Sequence, residues 1–90
     1  MEVRSMANYV RTDSVHWAKN FKEACWMAAS YVLTHKKTTV VITDAKQNLT
    51  GIVYYVGPKT GPVYYSEKKQ KKYLLDYDGS LFDYKTKKRV

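Results

Sequence analysis

From Val15 onward the apolar positions return with the period of a helix. Stepping about 100° per residue gathers Ala18, Phe21, Cys25, Ala28, Ala29 and Val32 into one narrow arc, with Trp17, Ala24 and Leu33 at its borders. Just upstream, Thr12-Asp13-Ser14 supplies three side chains whose oxygens can accept the orphan N–H groups of a first helical turn. The pattern therefore predicts a helix from about Val15 to Leu33 or Thr34. Lys19, Asn20, Glu23 and Ser30 lie opposite the apolar arc, and His35-Lys36-Lys37 suits the negative pole of the helix dipole. Trp26 and Met27 break the pattern, because they fall on or beside the polar side. Either another segment covers them or they form a contact patch.

After the helix the period drops to two. Thr38 to Thr43 is β-branched throughout, Asp44-Ala45-Lys46-Gln47-Asn48 is a polar turn, and Thr50 to Val56 returns as the second arm of a hairpin. Gly57-Pro58-Lys59-Thr60-Gly61-Pro62 stops that strand, since proline removes a ladder donor and glycine admits special dihedrals. Val63 to Ser66, Lys71 to Tyr77 and Leu81 to about Lys85 read as three more strands, joined by the charged turn Glu67 to Gln70 and by Asp78-Gly79. With a short strand at Asn8 to Thr12, the predicted order is β-α-β-β-β-β-β. The expected fold is α+β: one helix on one face of a mostly antiparallel sheet of five to six strands, in which only the N-terminal strand has the option of parallel pairing. One small domain spans residues 1–90, with 86–90 expected as a flexible basic tail.

The tyrosine doublets Tyr54-Tyr55 and Tyr64-Tyr65 matter in such a sheet, because neighbouring strand residues point to opposite faces. One ring of each doublet must face away from a single covering helix. Choosing the phase by the most apolar set sends Val40, Ile42, Ile52, Tyr54, Val56, Val63, Tyr65, Tyr73, Leu75, Phe82 and Tyr84 toward the helix. Tyr55, Tyr64 and Leu74 are then the outward residues.

Charge sharpens this picture. Sixteen Lys and Arg against eight Asp and Glu give a net charge of +8, which favours polyanionic partners. Residues 59–90 hold nine basic and four acidic side chains, against seven and four in residues 1–58, so the excess is densest in the C-terminal third. Lys68, Lys69, Lys71 and Lys72 surround one predicted turn, and Lys85, Lys87, Lys88 and Arg89 follow the last strand. The final hairpin is expected to bring these eight groups to one end of the sheet. Lys outnumbers Arg by 13 to 3, which points to backbone recognition rather than base-specific readout.

Catalytic chemistry finds little support. Cys25 has no partner cysteine for a disulfide or a zinc spacing, and it sits on the apolar stripe, where a thiol is inert. His16 and His35 fall at opposite ends of the predicted helix, roughly 30 Å apart, so no base serves a nucleophile. Asp44 with Glu67-Lys68-Lys69 mimics the residue types of a metal-dependent nuclease, but the lysine lies in a turn. The glycine-proline loop lacks the spacing and N–H groups of a phosphate cradle. No metal or cofactor is expected. Met1 to Met6 shows no signal-peptide core, and no apolar run nears the ~20 residues that cross a bilayer. The expected setting is the cytoplasm, with no membrane contact, as monomer or homodimer. The leading expectation is a non-enzymatic nucleic-acid-binding module, with the eight basic groups on phosphates and Tyr55 and Tyr64 stacking on bases. The alternative is an inhibitor or adaptor, of the sort phages and mobile elements carry, docking Trp26 and Met27 on an acidic surface of a host enzyme.

Overall fold

The computed structural model describes residues 8–90, so the N-terminal stretch Met1 to Met6 lies outside it. Its elements are β1 (Asn8–Arg11), β2 (Val15–Ala18), α1 (Phe21–Thr34), β3 (Val40–Asp44), β4 (Leu49–Tyr55), β5 (Pro62–Ser66), β6 (Lys71–Leu75) and β7 (Leu81–Asp83). The strands form one antiparallel sheet in the order β2-β1-β3-β4-β5-β6-β7, with α1 packed on one face. This is the expected α+β architecture with seven strands instead of five or six.

The extra strand comes from the start of the predicted helix. Val15 to Ala18 is extended and pairs antiparallel with β1, and Thr12-Asp13-Ser14 is the tight turn between them, not a helix cap. Asn20 caps α1 instead: its Oδ1 accepts from the Glu23 N–H at 2.8 Å, and Glu23 Oε1 accepts from the Lys19 N–H at 2.8 Å. β1 also pairs antiparallel with β3, which settles the orientation of the N-terminal strand. Because β2 and β3 flank β1 and both run against it, α1 is the crossover between two parallel strands that have a third inserted between them.

The buried side of α1 is made of small residues. Ala24, Cys25, Ala28, Ala29 and Val32 are fully buried against Val10, Val40, Ile42 and Val53. Beyond this close contact, larger side chains fill the margins: Phe21 meets Tyr64 edge-on with centroids 5.3 Å apart, and Tyr73 and Leu75 extend the core toward the far edge.

Here the phase chosen from apolar content fails in β4, β5 and the last strand. Register partners share a face, and the row Val40, Val53, Tyr64, Tyr73 looks toward the helix. Tyr64 is therefore core, only 3% exposed, and Tyr55 packs against the core edge. Ile52, Tyr54, Val63, Tyr65 and Phe82 lie on the other face, whereas Val40, Ile42, Tyr73 and Leu75 look inward and Leu74 outward as expected. Gly51 supplies the reason: a Cβ there would run into the Tyr64 ring and the Tyr65 carbonyl, so the ring occupies space that only glycine leaves. The Tyr64 hydroxyl donates to the Thr50 carbonyl at 3.1 Å, which satisfies its polar end inside the core.

The chain after β7 does not hang loose. Asp83 Oδ1 accepts from the Lys85 and Thr86 N–H groups at 2.9 Å each, Lys87 takes a positive φ of 67°, and Arg89 bridges antiparallel to Phe82. The segment expected as a free tail is a hairpin arm laid along β7. At the other end of β7, Gly79 (φ 92°) rests against the Lys22 carbonyl of α1, a contact that any side chain would block.

Candidate functional site

Among the described residues the one helix lies on the other side of the sheet, and the side chains of the face opposite α1 follow from the ladder. Across β1 and β2 it presents Tyr9, Arg11, Val15 and Trp17, the last 60% exposed. Across β3 and β4 come Val41, Ile52 and Leu49, and Val63 is wholly buried between its register partners Tyr54 and Leu74. Across β5 and β6, Tyr65 is the partner of Lys72, whose ammonium stands 5.6 Å from the centroid of the Tyr84 ring. The next row runs through Leu74 and Phe82 to Arg89, whose guanidinium lies 5.2 Å above the Phe82 ring. A further bond from Arg89 to Ser80 Oγ, 3.0 Å long, pins that guanidinium in place. The half of the outer face nearest β7 thus alternates rings and cations, and the half nearest β2 is aromatic and aliphatic apart from Arg11.

The basic groups named in the sequence divide three ways. Lys68 and Lys69 sit in the β5–β6 turn, and Lys85, Lys87 and Lys88 in the turn that Asp83 organises, beside the same ends of the strands. Lys72 is on the outer face. Lys71 is on the helix side, where its ammonium lies 2.9 Å from Asp83 Oδ2 and 5.6 Å from the Tyr73 centroid. That pairing raises the Lys71 pKa, and the hydrogen bonds from the Thr86 N–H, Lys71 and the Lys85 N–H hold Asp83 well below the usual carboxylate range. The seven lysines lie toward one end, whereas Arg89 sits farther along β7 against Phe82 and Ser80, and Lys71 is committed to an internal ion pair and points away from Lys72. Between them an open groove is lined by Gln70, Lys71, Lys72, Asp83, Tyr84 and Lys85.

Of the two tyrosines assigned to stacking, Tyr64 is in the core and Tyr55 lies on the helix side, with the Lys36 ammonium 5.2 Å from its centroid. From β4 to β7 the rings on the outer face are their neighbours Tyr54 and Tyr65, together with Tyr84 and Phe82. Alternation alone missed them because both phases look nearly equally apolar. The signal that separates the phases is Gly51, a strand glycine that marks close approach on its own face.

Trp26 is 48% exposed and Met27 is half-covered. Both border an apolar groove with Val10, Thr12, His16, Ser30 and Tyr31; Met27 packs against the core and the indole stays exposed. Cys25 is buried, and desolvation pushes its thiol up to about 12, leaving it protonated and unreactive. His16 meets Ser14 Oγ at 3.1 Å, and His35 stacks on Tyr31 with ring centroids 4.1 Å apart. Asp44 accepts from the Lys46 and Asn48 N–H groups at 2.9 Å each and has its pKa lowered by the Asn48 bond above all; it organises a turn. Among the described residues, no three His, Cys, Asp or Glu side chains cluster as a metal site, and no helix is long and apolar enough to cross a membrane.

What the arrangement offers chemically is a group of part-exposed rings, cations held near two of them, and a rim of exposed ammonium groups. No family model, curated protein or solved structure matches this chain.

Proposed function

We propose that this chain is a non-enzymatic nucleic-acid-binding module in the cytoplasm, using the lysines of the β5–β6 and C-terminal turns for phosphates and the outer face of the sheet for bases or sugars. One observation carries the reading: Tyr65, Lys72 and Tyr84 lie side by side on the uncovered face, next to the rim formed by Lys68, Lys69, Lys85, Lys87 and Lys88. Aromatic platforms beside a cationic track bind polynucleotides by stacking and counterion release, with little sequence preference. The scarcity of arginine agrees with recognition of backbone rather than guanine edges.

A titration against oligonucleotides at two salt concentrations tests it. Binding that weakens steeply as salt rises is the expected result. Absence of binding at low salt rejects the proposal, and binding indifferent to salt contradicts its lysine component.

A second reading rests on Trp26. An indole this exposed beside an apolar groove has the character of an interface anchor, and an inhibitor or adaptor docking on an acidic protein surface would use it. Trp26→Ala and Met27→Ala would then abolish partner binding, and they would leave oligonucleotide binding intact.

A further inference from the structure

We infer that the outer face takes an unpaired strand, with bases seated on Tyr65 and Tyr84 and the intervening phosphate at Lys72; this rests on the nucleic-acid reading above. Geometry separates it from duplex binding. A ring can stack only on a base whose π-face is free, and in a duplex that face is covered by the neighbouring pairs. Reading bases in a duplex needs an element that enters a groove, and the major groove, about 12 Å wide, admits a helix or a two-stranded ribbon. The lone helix here has its inner side in the core, and the outer face belongs to a seven-stranded sheet, too broad to enter.

Spacing adds a second argument. Tyr65 is on β5 and Tyr84 continues β7, so the two rings are separated by two strand spacings, about 10 Å. Successive bases in a stacked strand rise about 3.4 Å. Two bases seated on these rings must leave the helical stack, which an unpaired strand does at small cost. Lys72 stands between the rings, as the register partner of Tyr65 and 5.6 Å from the Tyr84 centroid, where a bridging phosphate would pass. The pinned Arg89 guanidinium above Phe82 offers a further planar cation at the next row.

The test uses the full chain with oligothymidylate, oligouridylate and a blunt mixed-sequence duplex of equal length, titrated at low and moderate salt. Unpaired oligonucleotides should bind at least about tenfold tighter than the duplex, and Tyr65→Ala and Tyr84→Ala should each weaken them about 5- to 150-fold, the loss of one stacked base. Lys72→Gln should lower the salt slope by about 0.7. Tyr65→Leu keeps the apolar body of a half-buried side chain, so it reads stacking even if the alanine variant unfolds, and Tyr64→Phe should leave affinity unchanged. Equal or tighter duplex binding overturns this inference and spares the broader proposal. Tight single-strand binding untouched by the Tyr65 and Tyr84 variants overturns the seat. No binding to any of the three ligands overturns both.

Discussion

Gly51 decides which tyrosine of a doublet is buried. Its missing side chain makes room for the Tyr64 ring, and once Tyr64 turns inward the period of two forces Tyr65 outward, beside Lys72. The functional surface is thus set by a residue on the opposite face. Gly51→Ala should place a methyl group against the Tyr64 ring and the Tyr65 carbonyl. Overpacking of this kind costs typically about 1–3 kcal/mol, which urea denaturation would read as a lower midpoint with an unchanged slope. An unaltered midpoint would show that the ring does not depend on that space. The same residue explains what was legible at this scale. Counting apolar positions favoured Ile52 and Tyr54 as core, but that tally weighs each side chain by hydropathy and not by the room its neighbours leave.

Elements were legible where a period ran long enough to be unambiguous. The body of α1, the three hairpins after it and the turn at Asp78-Gly79 stand where the sequence puts them. Val15 to Ala18 misled because four residues fit either period: Trp17 and Ala18 fall on a helical arc as readily as on two faces of a strand. Pairing with β1 decided the matter, and the helix then took its cap from Asn20. Asn20→Ala should cost about 0.5–2 kcal/mol, whereas Ser14→Ala, at a turn, should cost less; thermal melts of the two variants distinguish the assignments. The C-terminal hairpin was harder to see, because its strand pairing is brief and its turn is organised by one aspartate. Asp83 is ionised in the fold with its pKa depressed, so its contribution is complete at neutral pH. That contribution begins to fall as pH drops through the ordinary aspartate value, about 3.9, and is gone below the depressed one. Acid should therefore loosen residues 84–90 before the core. Protection of the Lys85 and Thr86 amides, relative to the intrinsic exchange rate at each pH, would fall in that window, and Asp83→Asn would remove it at neutral pH.

For the whole molecule, the question is whether charge acts through its total or its placement. The net charge of +8 attracts any polyanion, yet the cations are not spread evenly: Lys68, Lys69, Lys85 and Lys88 rim the aromatic face near β7, whereas Lys19, Lys22, Lys36 and Lys37 flank the two ends of α1. Replacing either group of four by glutamine lowers the net charge from +8 to +4 (8 − 4), so long-range attraction falls equally in both variants. Counterion release depends instead on which cations touch phosphates. Every lysine withdrawn from a phosphate reduces the single-strand salt slope by about 0.7, so the rim variant should drop by close to 3 units of slope and the helix-flanking variant by less than about one. Both sets are exposed, so neither change should disturb folding, and matching melting temperatures would confirm that. Equal reductions in the two variants would mean that the protein binds through its overall field alone, and the aromatic face would then need another ligand.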